Sequence, residues 1–247
     1  MSKEINIWYL YHSCYAVQVG DTLLIFDYYV DKPAGPARTL SNGVVEPKEI
    51  AGYKTLVFSS HRHQDHFNPV ILSWRDHVDS IRYILSSDIH AKYYEKDVIT
   101  IKPRQTINLD DGIAITTLKS TDEGVAFLID IDGITIYHAG DLNWWRWEEE
   151  SKAWNNDMAA KFKKEVDVLK GKKIDIAFLT ADPRQKSNAL LGIEYFIENV
   201  GAGRIFPMHF LDDYSIMEKI ADEQDNNPGL SAVQLVFKRG QQFKLIV

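Results

Sequence analysis

The densest set of chemically active side chains lies at residues 61–66, where the sequence reads HRHQDH. Three of the eight histidines in the chain and one aspartate fall within this short stretch. Neutral imidazole and carboxylate groups are the usual protein ligands of zinc, manganese and iron, and a catalytic site leaves one coordination position open to water. Side chains two residues apart in extended backbone point to the same side. We therefore expect His61 and His63 to face one ion, whereas Asp65 and His66 follow the turn of the chain and face a second position nearby.

The elements around residues 61–66 predict how this motif is held. Upstream, residues 55–58 form a short apolar run, which is typical of a buried strand. Downstream, Asn68 and Pro69 are a favoured N-cap and a favoured first helical residue, so we expect a helix over residues 69–78. The motif thus lies on a strand-to-helix loop, and this setting favours a metal site over the alternative of a solvated loop that is rich in histidine.

The pattern His61-x-His63-x-Asp65-His66 resembles the signature of the metallo-β-lactamase superfamily of metal-dependent hydrolases. Four further segments resemble, in the same order, landmarks of the small lactonase-like and uncharacterised-hydrolase branch of that superfamily: residues 11–13 (YHS), 25–27 (IFD), 137–141 (YHAGD) and 207–210 (PMHF). The resemblance implies an α/β fold of the αββα sandwich type, with two mixed sheets flanked by helices, formed by a single domain over residues 1–247.

Hydrophobic patterning predicts the elements of such a fold. We expect an antiparallel meander before residue 27, a turn at residues 110–112 and a two-residue hairpin at Asp132 and Gly133. Residues 144–169 are rich in Glu, Lys and Ala and predict the longest helix. Two closing strands are expected over residues 232–238 and 242–246. This order of strands and alternating strands and helices suits two sheets with helices outside.

The resemblance also implies a set of metal ligands. It places two ligands at a first ion, three at a second ion and one between them: His61 and His63, then Asp65, His66 and His209, and finally Asp141. Asp141 follows a predicted strand and a glycine, a position that suits a ligand at the end of a strand. Its alternative role is to cap a helix that starts near Trp144.

The third motif departs from the superfamily pattern. A histidine is expected there, but residues 118–124 read LKSTDEG. Asp122 or Glu123 is the possible substitute ligand, and the sequence leaves the choice open. A carboxylate in place of an imidazole favours a harder ion such as manganese. We therefore expect one or two divalent metal ions, zinc or manganese, as the cofactor.

Six further side chains are candidates to orient the ligands or to contact the substrate: His12, His138, Trp144, Trp145, Arg146 and Arg184. The two histidines would hold ligands from behind or touch the substrate. The tryptophans form either the core-facing side of a helix or an apolar wall beside the ions. The arginines would then bind an anionic group of the substrate.

The composition, with 45% hydrophobic and 26% charged residues, is typical of a soluble globular protein. A net charge of −7 argues against a general affinity for nucleic acid. The single cysteine, Cys14, excludes an intramolecular disulfide and fits a reducing compartment. No signal-peptide core follows Met1, and no apolar run approaches transmembrane length. We expect a cytoplasmic location, a small-molecule substrate, and neither a nucleic-acid partner nor a membrane.

Taken together, the motifs predict a metal-dependent hydrolase in which metal-bound hydroxide attacks an ester, lactone or phosphoester of a small metabolite. Asp65 is the expected catalytic residue, with the role of orienting the nucleophile. The alternative is a non-catalytic sensor that binds a metal or a metabolite and derives from the same hydrolase fold. The missing histidine of the third motif supports this alternative.

Overall fold

The computed structural model describes residues 3–109 and 112–247. Contacts within the chain divide it into two compact units, the first formed by Met1–Lys102 with Phe237–Val247 and the second by Pro103–Val236. The first two positions of the turn predicted at residues 110–112 lie outside the described residues. In the part of the chain that is described, no helix is both long enough and apolar enough to cross a membrane. That the chain is one domain stays a prediction.

The first unit contains a seven-stranded mixed sheet. In chain order its strands are β1 (Glu4–Tyr11), β2 (Cys14–Val19), β3 (Thr22–Phe26), β4 (Lys54–Ser59), β5 (Ile81–Ser86), β6 (Val98–Ile101) and β13 (Gln242–Ile246). Their order in the sheet is β13-β1-β2-β3-β4-β5-β6. The pairs from β13 to β3 are antiparallel, which confirms the predicted meander, and those from β3 to β6 are parallel.

Parallel pairing of β3 with β4 brings two chain segments together at one edge of this sheet. Phe26 stands opposite Phe58 in the register, and the backbone N–H of Asp27 donates to the carbonyl of Phe58 at 2.9 Å. Asp27 and the loop that begins at Ser60 therefore start side by side, although 33 residues separate them. This is the edge at which the histidine motif lies.

The second unit contains a six-stranded mixed sheet in the order β12-β11-β10-β9-β8-β7. Its strands are β7 (Thr106–Asn108), β8 (Ala114–Lys119), β9 (Val125–Ile131), β10 (Ile134–His138), β11 (Ile176–Thr180) and β12 (Arg204–Met208). Asp132 and Gly133 have φ of +53° and +79°, which both positions of a type I′ turn require, so the predicted hairpin is confirmed.

The strands β10, β11 and β12 are parallel, so their carboxyl ends meet at one edge of the second sheet. Asp141 follows β10, Asp182 follows β11 and His209 follows β12 directly. Three polar side chains from distant parts of the sequence are thereby placed at the same edge.

The described helices are short apart from α2. In the first unit they are α1 (Pro47–Ile50) and three 3₁₀ helices, Leu40–Asn42, Pro69–Asp76 and Ala91–Tyr93. In the second unit they are α2 (Lys152–Val166), α3 (Leu191–Asn199), α4 (Ser215–Gln224) and the 3₁₀ helices Asp167–Leu169, Pro183–Asn188 and Pro228–Ala232. Asn68 caps the helix at Pro69 as predicted, since its side chain accepts from the N–H of Val70 at 3.0 Å, but this helix is 3₁₀ and ends at Asp76.

The predicted helix over residues 144–169 is wrong in its first part, because α2 begins only at Lys152. Ser151 accepts a hydrogen bond from the N–H of Trp154 at 3.1 Å and so caps the helix there. The buried side chain of Asn155 bonds the N–H and the carbonyl of Trp147 at 3.0 and 2.8 Å. These bonds occupy backbone groups that a continuous helix would use. The helix that the composition predicts before Ser151 therefore does not form.

The predicted strand over residues 232–238 is also wrong. Val233 forms only an isolated bridge to Ile205. The preceding 3₁₀ helix Pro228–Ala232 is capped by Asn227, and the side chain of Gln224 donates to the carbonyls of Leu230 and Val233 at 2.9 and 3.0 Å. A glutamine side chain thus takes an acceptor that a strand would offer to its neighbour.

Candidate metal centre

Asp27 is a buried carboxylate that supports the candidate metal ligands of the first unit. Its carboxylate is fully buried and accepts from the N–H of Ser60, the hydroxyl of Ser60 and Nδ1 of His66, each at 2.7 Å. Because Nδ1 of His66 must carry a proton to make the last bond, the lone pair of this imidazole is on Nε2. Asp27 thereby fixes the tautomer in which His66 can bind a metal through Nε2.

Three side chains bring ligand atoms together beside Nε2 of His66. An oxygen of Asp65 lies 3.7 Å from this nitrogen and 3.4 Å from Nε2 of His12. One ligand atom from each of His12, Asp65 and His66 lies within 4.8 Å of the others. His12 was expected to orient a ligand or to touch the substrate, and its Nε2 lies among these candidate ligand atoms.

His61 and His63 form a second pair of imidazoles in this unit. Nε2 of His61 lies 3.0 Å from Nδ1 of His63, and Nδ1 of His61 lies 3.0 Å from the hydroxyl of Ser60. Ser60 gives its only hydroxyl proton to Asp27, so it accepts from Nδ1 of His61. His61 therefore also presents Nε2, and the expectation that His61 and His63 point to the same spot is met in the geometry.

The second unit also contains a histidine whose ring is held by a buried aspartate. Nδ1 of His209 lies 3.1 Å from a carboxylate oxygen of buried Asp182, and Nε2 lies 3.4 Å from Asp141. Three N–H groups of Arg184 donate to Asp182, from its backbone N, Nε and one terminal nitrogen. His66 and His209 are thus both held from behind by a buried aspartate.

The charges around His209 favour a cation. Burial alone would raise the pKa of the Asp182 carboxyl, but hydrogen bonds and charges from His209 and Arg184 outweigh it and lower this pKa to about 2. Burial likewise acts to lower the pKa of His209, but Asp141 and Asp182 outweigh it and raise this pKa to about 10. The carboxylates of Asp141 and Asp182 thus place negative charge beside both nitrogens of the His209 ring, and a divalent ion would compete with the proton for Nε2.

The backbone of Asp141 is fixed by hydrogen bonds to its carbonyl group. Its carbonyl accepts from the indole N–H of Trp145 at 3.1 Å and lies 3.2 Å from the hydroxyl of Thr121. That hydroxyl also accepts from the N–H of Asn143 at 3.0 Å. Since the helix expected near Trp144 starts at Lys152 instead, Asp141 does not cap it, and the ligand interpretation is the one that the geometry supports.

Of the two substitutes for the missing histidine, Asp122 is the one that the fold places beside a ligand. A carboxylate oxygen of Asp122 lies within 4.8 Å of one of Asp141, and its backbone N–H donates to the hydroxyl of Ser120 at 3.1 Å. Within the described residues, Glu123 belongs to no such group of ligand atoms. Asp122 is therefore the candidate substitute at the third motif that lies beside another candidate ligand.

Three further predicted side chains, Trp144, Trp145 and His138, differ in whether they contact a candidate ligand. Trp145 lies with its ring centre 5.5 Å from that of His209 and stacks on Trp147 at 5.9 Å. Trp144 is half-buried and packs against Phe162, at 6.2 Å between ring centres, within the second unit. His138 is buried, and its Nδ1 accepts from the N–H of Gly140 at 3.2 Å.

The two arginines have different surroundings. Arg184 is bound to Asp182, as described above, and Arg146 is an exposed residue that lines a cavity. That either binds the substrate stays a prediction.

Sequence reasoning did not assign Asp27, Ser60 and Asp182 to the site. The signal for Asp27 was its place at the end of a family landmark, residues 25–27. The signal for Asp182 was that it follows a buried strand, as Asp141 does. Backbone strain marks three residues of the candidate site, because His12, Asp27 and His209 have φ of +55°, +46° and +69°, a region that costs non-glycine residues about 1 kcal/mol or more and is concentrated at functional sites.

Residues 6–157 match the family model described as the beta-lactamase superfamily domain. The match spans more than half of the chain, and the chain belongs to this family, within the metallo-β-lactamase superfamily. The comparison with curated protein sequences found no match.

Three solved structures show the fold that this membership implies. A metallo hydrolase from the archaeon Ignicoccus hospitalis is 19% identical with a TM-score of 0.64, over 98% of each chain. The metallo-β-lactamase fold protein YhfI from Bacillus subtilis is 17% identical with a TM-score of 0.62, over 98% of this chain and 99% of that one. CmlA, a diiron β-hydroxylase from Streptomyces venezuelae, is 11% identical with a TM-score of 0.60, over 99% of this chain and 54% of that one. These likenesses establish the fold alone, and the predicted αββα fold class is confirmed.

Proposed function

We propose that this protein is a metal-dependent hydrolase that cleaves an ester, lactone or phosphoester of a small metabolite. The observation that carries the proposal is the pair of imidazoles, His66 and His209, each tied through Nδ1 to a buried aspartate, so that Nε2 is the nitrogen that would bind a metal. This arrangement of aspartate, histidine and metal is typical of catalytic metal sites. Membership of the metallo-β-lactamase superfamily gives the same expectation.

In the first unit the candidate ligands are His61, His63, Asp65 and His66, and in the second unit they are Asp122, Asp141 and His209. These are neutral nitrogens and carboxylate oxygens, a donor set that fits one or two divalent ions. The carboxylate of Asp122 in place of an imidazole makes the set harder, so manganese and iron join zinc as candidates. CmlA, which shares the fold, is a diiron protein.

Divalent ions lower the pKa of a bound water and so supply hydroxide near neutral pH. The role that we assign to Asp65 is to orient this nucleophile, because its carboxylate is partly exposed, at 37%, and lies within 3.7 Å of Nε2 of both His12 and His66. Asp27 and Asp182 keep His66 and His209 in one tautomer and one orientation. His12 is placed to hold Asp65 or to contact the substrate.

The test is hydrolysis by the full chain, stripped of metal and reloaded separately with zinc, manganese or ferrous iron. The substrates are 4-nitrophenyl acetate, γ-butyrolactone and bis(4-nitrophenyl) phosphate. We expect metal-dependent cleavage of at least one of them, a loss of more than about a hundredfold in His66→Ala, and no change in His77→Ala, which removes an exposed histidine. Cleavage that persists without metal, or that survives in His66→Ala, would contradict the proposal.

A sensor that binds without turnover is the second candidate, and the replacement of the third-motif histidine favours it. Metal bound at the expected ligands, with no cleavage of any of the three substrates, is the result that supports this candidate. The cytoplasmic location and the absence of a nucleic-acid partner stay predictions from composition.

A further inference from the structure

A polar cavity of about 550 Å³ lies within the second unit, a volume within the usual range of small-molecule sites. It is lined by the segment from Arg146 to Asn156 and by Ser187 and Asn188. No role has been assigned to this cavity so far, and its walls are hydrophilic where ligand pockets are usually apolar.

The cavity is connected to a proposed metal ligand by two ring contacts. Trp147 lines the cavity and stacks on Trp145 with an angle of 6° between the rings. Trp145 in turn meets His209 edge to face, with the ring centres 5.5 Å apart. Two ring contacts therefore separate the wall of the cavity from His209, a proposed metal ligand, and this placement suits the part of a substrate that does not react.

The wall around Trp147 is fixed in place. The buried side chain of Asn155 bonds both the N–H and the carbonyl of Trp147, and it also donates to the carbonyl of Glu150 at 3.3 Å. Arg184 lies 5.9 Å from the centre of the Trp147 ring. A loop held in this way is a preformed wall, which reduces the entropy cost of binding a ligand.

Two cations and two carboxylates line the cavity. The carboxylate of Glu148 pairs with Lys186 at 2.7 Å, and Lys186 also lies 3.5 Å from Glu149. Among the described residues, the side chains of Arg146 and Lys152 make no ion pair, and they stand against the single carboxylate of Glu150. Asn156 and Asn188 add amide N–H donors. Two cations and several neutral donors around a hydrophilic space are suited to an anion.

We propose that this cavity binds an anionic group, a carboxylate or a phosphate, on the part of the substrate remote from the cleaved bond, with Arg146 and Lys152 as its cationic partners. The inference rests on the proposed function, because it names the substrate class of the same site. Neutral, apolar esters are then poor substrates, since they leave both cations without a partner.

The test is calorimetric titration of the metal-loaded full chain at low ionic strength with succinate, with inorganic phosphate, and with neutral succinamide. We expect both anions to bind and succinamide not to bind. Arg146→Gln together with Lys152→Gln should weaken anion binding by at least about tenfold. Glu150→Gln removes the opposing charge and should strengthen it by about two- to fivefold.

Lys161→Gln is the matched control. It removes one lysine charge from the same helix, but Lys161 pairs with Asp157 and does not line the cavity, so anion affinity should stay within about twofold. Which anion binds more tightly identifies the charged group of the substrate, and either order supports the proposal. No anion binding by the native protein, or equal binding by the double variant, would overturn it.

The same samples separate this inference from the proposed function. Metal-dependent cleavage of neutral esters without anion binding would refute the anion site in the cavity and support the proposed hydrolase activity. Anion binding that depends on Arg146 and Lys152, without cleavage of any substrate, would refute the hydrolase and leave an anion site.

Discussion

Asp27→Asn is the substitution that most strongly tests whether Asp27 holds His66 in the tautomer that binds a metal. The new side chain has the shape of the old one and tolerates the positive φ of position 27, so the backbone is not additionally strained. One of its ends is now an amide donor. The donor faces Nδ1 of His66, which lies 2.7 Å from the carboxylate in the native protein, and two donors cannot bond each other.

The relief of this conflict has a cost in metal affinity. His66 must move its proton from Nδ1 to Nε2, which is the nitrogen that the metal needs. If Ser60 accepts from the new amide, its hydroxyl proton turns to Nδ1 of His61, 3.0 Å away, and His61 changes tautomer as well. Loss of such a supporting partner costs about 10- to 100-fold in metal affinity, or about 1.4–2.7 kcal/mol. Asp27 is fully buried, so solvent does not screen the effect.

The assay is competition with a chromophoric chelator for zinc and for manganese, combined with NMR assignment of the imidazole tautomers in the metal-free protein. Asp21→Asn, an exposed aspartate in the turn before the same strand, should match the native protein in both. Ser60→Ala should affect His61 and spare the bond between Asp27 and His66. Affinities within about twofold of native, with Nδ1 of His66 still protonated, would refute the reasoning.

Three further predictions follow from local geometry. Asp182→Asn should lower the metal affinity of the protein about 10- to 100-fold by releasing His209, which the same chelator competition measures; unchanged affinity would show that this support is dispensable. Ser151→Ala should lower the free energy of unfolding by about 1 kcal/mol, because the N-cap of α2 is lost, and urea unfolding with an unchanged midpoint would contradict it. Gly240→Ala should destabilise the chain by about 1–3 kcal/mol or more, because φ is +75° and the new Cβ would meet the carbonyl oxygen of Ser41 at 2.0 Å; a native-like thermal midpoint would be inconsistent with that contact.

Elements with a regular hydrophobic period were predictable from the sequence. The strand before His61 is apolar because it is buried on both faces, and its boundaries differ little from the predicted ones. The helices α3 and α4 have an amphipathic pattern, with their apolar residues buried on one side. The proposed ligands were predictable because they crowd into one motif or follow a strand directly, as His209 does.

The parts that could not be predicted depend on distant contacts. Asp27 reaches His66 across 39 residues, and only the parallel register of β3 and β4 brings them together. Asp182 reaches His209 across 27 residues in the same way. The tryptophan segment before α2 has the composition of a helix, but the bonds of Asn155 hold it in another conformation. The helix and strand propensities of individual residues carry no information on such side-chain hydrogen bonds.

The central claim is that the histidine motif and its buried aspartates form a metal centre. It is tested most directly by elemental analysis of the full chain, purified without added metal or chelator, as native protein and as His61→Ala and His66→Ala. The account predicts one or two equivalents of zinc, manganese or iron in the native chain and a loss of metal in both variants. A native chain purified in this way without bound transition metal, or variants that keep the full native content, would contradict it.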